Sequence, residues 1–392
     1  MYEISCKIKN GIIETALSGR IDRTGASDFG ARLDAVRGTP AKSAIVDCAG
    51  LEYISDEGLR ILLTLKKEYP ETRFINVSSG VYRILASAGF TDAGEVSKAY
   101  RTVSVGGCEA IGRGASSVVY RIDTDTIVKV YSYPDSLGDL LRERELARTA
   151  FLLGIPTAVP YDVVRIKEGG YGSVFELLDA KSFAELLADG EKSVDEIAKM
   201  SVDLLKRIHS TEAEPGTIPD MKNTVAGWVE YVGDVIPEKH REKLRALVAA
   251  VPPTRRLIHG DYHVKNVMMR KGEVFLIDMD TLSCGDPVFE LGCICSAYRG
   301  YGEVDHGETR AFLGIGYETA EELWKRIVFR YMDGDEERIK AAEDKAVILS
   351  SVRVLRHVKR YKDVTSGEGK ALLDACVRHF EELLPKVGSL AL

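Results

Sequence analysis

Leu257-Ile-His-Gly-Asp-Tyr-His-Val-Lys-Asn-Val-Met-Met269, followed by Phe275-Leu-Ile-Asp-Met-Asp280, is the stretch on which the reading of this chain turns. Four residues separate Asp261 from Asn266, so one loop can offer a base to an acceptor hydroxyl and an amide oxygen to a magnesium ion. Twelve positions beyond Asn266, Asp278 closes a hydrophobic strand, where its carboxylate can reach a metal bridging nucleotide phosphates. The bland interpretation is a turn at His259-Gly260-Asp261 and a strand-capping Asp278. It requires the spacing, the flanking apolar strands and the upstream residues described next to coincide by chance. The pattern is therefore that of phosphoryl transfer.

Those upstream residues stand in the order the chemistry needs. Ile111-Gly-Arg-Gly-Ala-Ser-Ser-Val-Val-Tyr120 reads as a hairpin turn in which Gly112 and Gly114 let backbone N–H groups approach phosphates closely. Ser116 and Ser117 complete the turn, Ser117 standing where a third glycine would stand. Next comes Ile127-Val-Lys-Val-Tyr131, an apolar strand with one cation in its middle. The Lys129 ammonium must be placed outside an apolar core, either on nucleotide phosphates or snorkelling from an edge strand. A helix from Gly138 to Leu153 then carries Glu143 and Glu145. Leu141, Glu145 and Leu152 fall near one inward stripe, so Glu145 is the expected partner of Lys129 and Glu143 is expected to face solvent.

On these motifs, residues 105 to about 385 resemble the aminoglycoside phosphotransferase and choline kinase branch of the protein-kinase-like fold. The branch writes its loop as His-Gly-Asp-x-x-x-x-Asn and its metal motif as Ile-Asp, as His259-Gly260-Asp261, Asn266 and Ile277-Asp278 do here. The resemblance implies an α+β bilobal unit that uses ATP, or alternatively GTP, with Mg2+. It assigns Asp261 as catalytic base, Asn266 and Asp278 as metal ligands, and Lys129 with Glu145 as an ion pair. It also places Phe175 to Leu178, with Glu176 and Leu178 as contacts, beside the adenine. Gly285-Asp-Pro287 matches a later family segment in which Asp286 is structural. No long segment ending in Ala-Pro-Glu follows Asp278, which argues against an ordinary protein kinase. The loop also departs from protein kinases in having His263 two residues after Asp261 and Lys265 beyond it; either touches the transferring group or is structural. Asp280 either joins Asp278 on one side of a strand or belongs to a turn.

The first hundred residues follow another pattern. Glu14 to Asp22 reads as a short strand with a turn, followed by a helix from Gly25 to Val36 and a strand from Ser43 to Cys48. Then come a helix from Asp56 to Tyr69, a strand from Arg73 to Val77 and a helix from Gly80 to Ala88. This alternation on short loops predicts a small α/β domain with helices on a mixed sheet. Leu17-Ser-Gly-Arg-Ile-Asp22, with Asp47-Cys-Ala-Gly-Leu-Glu-Tyr-Ile-Ser-Asp-Glu-Gly-Leu59, resembles the STAS domain of anti-sigma factor antagonists. In that family a serine of the turn before the helix is phosphorylated by a partner kinase. Here the turn reads Ser55-Asp56-Glu57-Gly58, which puts the carboxylate of Asp56 in the phosphoacceptor place. Ser55 and Asp56 are the regulatory candidates, and the alternative for Asp56 is simply an acidic first helical turn.

Composition fits two domains. The chain has 392 residues, 45% of them hydrophobic, enough for a unit of a hundred residues and a bilobal one. The expected division is residues 1–100, a linker at 101–107, an N-lobe at 108–178 and a C-lobe at 179–392. Seven cysteines scattered through apolar stretches point to reduced thiols and a cytoplasmic location, Cys293 and Cys295 being read as core. No apolar run reaches the roughly eighteen residues of a membrane span. The net charge of -7 argues against nucleic acid as a partner. One basic stretch, Arg353-Val-Leu-Arg-His-Val-Lys-Arg-Tyr-Lys362, reads as a helix with its cations projecting outward into solvent. If it lined an acceptor cleft instead, it would suit an anionic acceptor rather than a polycation. The expectation is thus a phosphotransferase acting on a hydroxyl of a small molecule, with the STAS-like domain regulating it or docking a protein partner. The alternatives are a kinase with a protein acceptor and a catalytically silent nucleotide-binding scaffold.

Overall fold

The computed structural model describes residues 2–37, 40–90, 96–114, 117–133 and 136–392. The chain forms two compact units, Met1–Ser104 with Val164–Gly169, and Val105–Val163 with Gly170–Leu392.

The first unit is built on β1 (Tyr2–Lys9), β2 (Ile12–Ile21), α1 (Arg23–Arg37), β3 (Ser43–Ile54), α2 (Asp56–Glu68), β4 (Arg73–Val77), α3 (Ser79–Ser87) and β5 (Val96–Lys98). The strands lie side by side in that order in a five-stranded sheet. The β1–β2 pair is antiparallel, while β2–β3, β3–β4 and β4–β5 are parallel. Alternate residues Ala44, Val46 and Cys48 of β3 are buried, along with Phe29 and Leu33 of α1 and Leu62 and Leu65 of α2. This is one sheet face covered by helices. The turn expected within Glu14 to Asp22 is a bulge inside a continuous strand: Gly19 has φ 72° and the register with β3 shifts on either side of it. Helix α2 starts where Ser55 accepts a hydrogen bond from the Gly58 N–H, with Asp56 and Glu57 in its first turn and Lys66 and Lys67 in its last. Residues 101–107, expected as a linker, contain β6 (Thr102–Val103), which pairs in parallel with Arg165–Ile166.

The second unit opens with an antiparallel array of β7 (Glu109–Arg113), β8 (Ser117–Arg121) and β9 (Thr126–Tyr131), then α4 (Leu137–Leu152), β10 (Pro160–Ile166) and β11 (Tyr171–Glu176). Within this unit β10, β11, β9, β8 and β7 lie side by side in that order. Beyond β11 lie β12 (Lys181–Ser182), α5 (Phe183–Ala188), α6 (Val194–Ser210), α7 (Met221–Val232), α8 (Glu238–Ala250) and β13 (Leu257–Ile258). These are followed by β14 (Val267–Arg270), β15 (Glu273–Leu276), β16 (Ser283–Cys284) and α9 (Pro287–Cys295). The chain ends with α10 (His306–Leu313), α11 (Tyr317–Tyr331), α12 (Glu336–Tyr361) and α13 (Gly367–Leu383). Helix α6 begins with a reciprocal cap between Ser193 and Glu196 and buries Ile197, Leu204, Leu205 and Ile208 on one face. Trp324 of α11, Tyr298, Phe289 of α9 and Phe380 of α13 are fully buried in this lobe. The hairpin β14–β15 and the bridge β13–β16 hold the two ends of the loop quoted at the outset. Among the described residues no helix is long and apolar enough to cross a membrane.

Candidate active site

A cleft of about 680 Å3 in the second unit is lined by residues of the β7–β8 turn, β9, α4, the end of β11, residues 261–268 and residues 277–280. Lys129, in the middle of β9, cannot leave its ammonium in the sheet. It donates to Glu143 Oε1 at 2.7 Å and to Asp278 Oδ1 at 2.8 Å. Glu143 is buried and accepts a second bond from the Tyr131 hydroxyl at 2.9 Å. Burial alone would push the Lys129 ammonium down, but the carboxylates of Asp278 and Glu143 outweigh it, and the group stays a cation.

The loop after β13 is held by buried hydrogen bonds. Glu290, on α9 and fully buried, accepts the backbone N–H groups of His259 at 2.5 Å and Gly260 at 3.0 Å. Gly260 has φ 81°, and a Cβ there would stand 2.7 Å from the carbonyl oxygen of Thr281, so only glycine fits the turn. The His259 ring meets the Ile277 carbonyl at 3.0 Å through Nε2, and its carbonyl accepts the Thr281 hydroxyl at 2.8 Å. The loop is thereby tied to the segment that carries Asp278. Asn266 donates from Nδ2 to the Asp261 carbonyl at 3.0 Å, which leaves its amide oxygen clear of that bond.

Asp261 itself is pinned from the far side. Arg353 of α12 donates to Asp261 Oδ1 at 2.6 Å and to the Gly260 carbonyl at 2.7 Å. The other carboxylate oxygen lies 3.5 Å from Nε2 of His263. Burial would raise the Asp261 carboxyl, but the His263 hydrogen bond and the Arg353 guanidinium hold it well below the usual carboxylate range. It is an ionised acceptor whose Oδ1 is taken by Arg353, while Oδ2 keeps only the longer contacts with Asn266 Nδ2 at 3.4 Å and His263 Nε2 at 3.5 Å.

At the end of β11, Glu176 Oε1 lies 3.3 Å from Arg270 Nη1, and the Leu177 N–H donates to the Asp125 carbonyl. Among the described residues the Leu178 N–H makes no hydrogen bond. An unsatisfied backbone donor in a cleft wall is a place for a ligand acceptor.

The model of the phosphotransferase enzyme family matches residues 107–327, more than half of the chain. The chain belongs to this family. Residues 3–104 match the STAS domain, so the phosphotransferase carries an N-terminal STAS domain. Among solved structures the chain is similar to a thermostable mutant of aminoglycoside phosphotransferase APH(4)-Ia in ternary complex with ADP and hygromycin B. The TM-score is 0.50 at 15% identity, over 69% of this chain and 93% of that one. A second such mutant, in complex with AMP-PNP and hygromycin B, gives a TM-score of 0.50 at 14% identity, over 77% of this chain and 98% of that one. These likenesses show the fold. No curated protein matches the chain.

Within the phosphotransferase unit the cleft brings together Gly112, Gly114, Ser117, Lys129, Glu176, Leu178, Asp261, Asn266 and Asp278. Ser116 lies outside the described residues. Glu145 is the principal correction. It is exposed beside Arg144 and Arg148, at 3.2 and 3.6 Å, and Glu143 takes the place beside Lys129. The buried face of α4 is Leu140, Glu143, Leu146, Ala147 and Ala150, whereas Leu152, assigned to the inward stripe, is 69% exposed. The stripe was anchored one helical phase off.

Of the two alternatives for Asp280 the structure takes the turn. Strand β15 ends at Leu276, Asp278 adopts a left-handed conformation with φ 65°, and Met279–Thr281 forms a 3-10 turn, so the two carboxylates do not share a strand face. Burial and the Asp278 charge push the Asp280 carboxyl up. The second correction is Arg353, expected in solvent, whose side chain is 13% exposed and bound to Asp261. His263 is buried with its ring against Phe312, and Asp286 caps α9 by accepting the Val288 N–H at 2.9 Å. Glu143 could have been found from the spacing of Leu140, Leu146, Ala147 and Ala150. No local signal marks Arg353, whose partner lies 92 positions away.

Ser55, in the STAS domain, is 7% exposed with its hydroxyl accepting the Gly58 N–H, while Asp56 is exposed in the first turn of α2.

Proposed function

We propose that the phosphotransferase moves the γ-phosphoryl group of ATP, with Mg2+, to a hydroxyl of a small molecule, and that the STAS domain regulates this activity. The observation that carries the reading is the convergence of a paired lysine, Lys129, a pinned carboxylate, Asp261, and two further oxygen donors, Asn266 and Asp278, on one cleft. In this reading Gly112 and Gly114 turn backbone N–H groups toward the phosphates, and the Leu178 N–H meets the purine. Lys129, kept charged and aimed by Glu143, neutralises the phosphates it meets.

The donor set suits the metal. Asn266 and Asp278 are hard oxygen donors in one cleft, and Mg2+ binds through one or two protein oxygens together with substrate phosphates and water. When bound, Mg2+ neutralises charge on the phosphate oxygens.

Asp261 accepts the acceptor hydroxyl on the oxygen that Arg353 leaves open and orients it for in-line attack. A carboxylate held so far below its ordinary range is a weak base, so it takes the proton late, as the bond to phosphorus forms. The test is a comparison of wild type with Asp261→Asn for ADP release with ATP, Mg2+ and pooled alcohols, beside a thermal shift with ATP. We expect turnover to fall roughly 10² to 10⁴-fold with nucleotide affinity nearly unchanged. Equal turnover removes Asp261 from this role, and absence of any shift with ATP or GTP removes the nucleotide.

A further inference from the structure

We propose that the phosphoryl acceptor is an anionic alcohol, a small molecule bearing a phosphate or carboxylate besides its reacting hydroxyl, and that Arg356 is the cation that docks this anionic group. The inference rests on the phosphotransferase reading above and names its substrate class.

Helix α12 carries Arg353, Arg356, Lys359 and Arg360 within three turns, and two of these four cations are already matched. Arg353 is bound to Asp261. Lys359 donates to Asp234 at 2.5 Å and to the Tyr231 carbonyl at 2.6 Å. Just past the helix, Lys362 lies between Glu308 and Glu368, at 3.3 and 2.6 Å. Arg360 is exposed to water. Arg356 is different: among the described residues it has neither an ion pair nor a hydrogen bond, yet it is half-buried. Its guanidinium stands 5.4 Å from the centre of the Trp228 ring, and that of Arg353 stands 5.8 Å from the same ring.

The formal charges that weigh most on Arg356 are two other cations, Arg353 and Arg360; burial and these neighbours pull its pKa below the ordinary value. Partly withdrawing a guanidinium from water between like charges is unfavourable unless an anion completes the site. Its planar fork matches carboxylate and phosphate in two parallel hydrogen bonds. Arg356 also lies one turn along α12 from the residue that grips Asp261. One helix face therefore presents the clamp on the base and an unmatched cation, so an acceptor can set its hydroxyl on Asp261 and its anionic group on Arg356. The same cluster of cations disfavours a polycationic acceptor.

The test uses the full chain saturated with ADP and Mg2+, which fills the nucleotide phosphate sites, and follows tryptophan fluorescence. The sequence has two tryptophans, and Trp324 is fully buried in the lobe core, so Trp228 is the reporter. Inorganic phosphate, acetate and glycerol are titrated separately. We expect a saturable signal with phosphate or acetate, the stronger of the two identifying the anionic group, and none with glycerol. Arg356→Gln weakens anion binding at least about ten-fold, Arg356→Lys weakens it less, and Trp228→Phe abolishes the signal.

Arg356→Gln melts no lower than wild type, because it removes an unmatched charge, whereas an arginine needed for packing would lower the melting temperature. No anion binding with ADP bound, or unchanged binding in Arg356→Gln, overturns the proposal. So does a turnover screen in which neutral alcohols outperform their phosphorylated or carboxylated counterparts. If ADP itself gives no thermal shift, the phosphotransferase reading falls and this proposal with it; if ADP binds and the anion arm fails, this proposal alone falls.

Discussion

Glu143 and Glu145 stand two positions apart on α4, and their surroundings make opposite predictions for the same substitution. Glu143 is buried against Lys129 and the Tyr131 hydroxyl, so Glu143→Gln leaves a buried ammonium with Asp278 as its one remaining carboxylate contact. We expect a loss of about 1 to 3 kcal/mol in urea unfolding and at least a ten-fold fall in turnover. Glu145→Gln changes an exposed side chain paired with Arg144 and Arg148 and should stay within about 0.5 kcal/mol with turnover unaltered. At this scale the sequence was readable where chemistry is local. Lys129 in an apolar strand and Asp261 separated from Asn266 by four residues announce themselves by spacing. Arg353 and Glu290 do not, because each acts on a loop far away in the chain, and a cation among apolar helix residues carries no sign of what it will meet.

Helices and strands were legible where apolar period and caps agreed, as in α2, whose serine cap and acidic first turn placed its start correctly. Periodicity failed on α4, where charged and apolar residues alternate closely enough to allow two inward faces. It also failed after β15, where a left-handed Asp278 ends the strand in a way that apolar pattern cannot foretell. One helix pairing carries a pH prediction. His240 of α8 is 5% exposed, packs against Phe380 of α13 at 6.1 Å, and its Nδ1 has no hydrogen-bond partner among the described residues. Burial and the Lys239 charge hold its pKa below the ordinary value. The unfolded chain therefore binds the proton first, and stability rises with pH between the folded and unfolded pKa values. The contribution is complete above about pH 6.5 and is lost as pH falls through the lower, folded value. We expect the melting temperature to drop between pH 7.5 and 5.5, with a shallower drop in His240→Phe. An unchanged slope in that variant would assign the acid sensitivity elsewhere.

For the whole molecule, the succession of a mixed-sheet domain and a bilobal unit was legible from alternating elements and from motif order. The exact division was not, since Thr102–Val103 pairs with a strand segment some sixty residues later and no local pattern announces such a partner. No residue assigned to the nucleotide, to phosphoryl transfer or to the acceptor precedes Gly112. A chain starting at Arg101 should therefore fold, bind ADP and keep Asp261-dependent turnover. A chain starting at Ser104 loses β6, exposes the edge at Arg165–Ile166 and should melt at a lower temperature with its turnover retained. Loss of nucleotide binding by a folded chain of either kind would show that the STAS domain contributes to the site. The contact between Lys129 and Asp278 has a consequence for the order in which ligands arrive. While the ammonium occupies that carboxylate, a divalent cation must compete for it, whereas phosphates draw the ammonium away. On the proposed function, magnesium and nucleotide would thereby be mutually dependent, each tightening the other by the same factor. Calorimetric titration of Mg2+ with and without ADP should reveal weak binding alone and at least a ten-fold gain in the presence of the nucleotide, equivalent to about 1.4 kcal/mol of cooperativity. Equal affinities would mean that the ion pair yields to the metal without help.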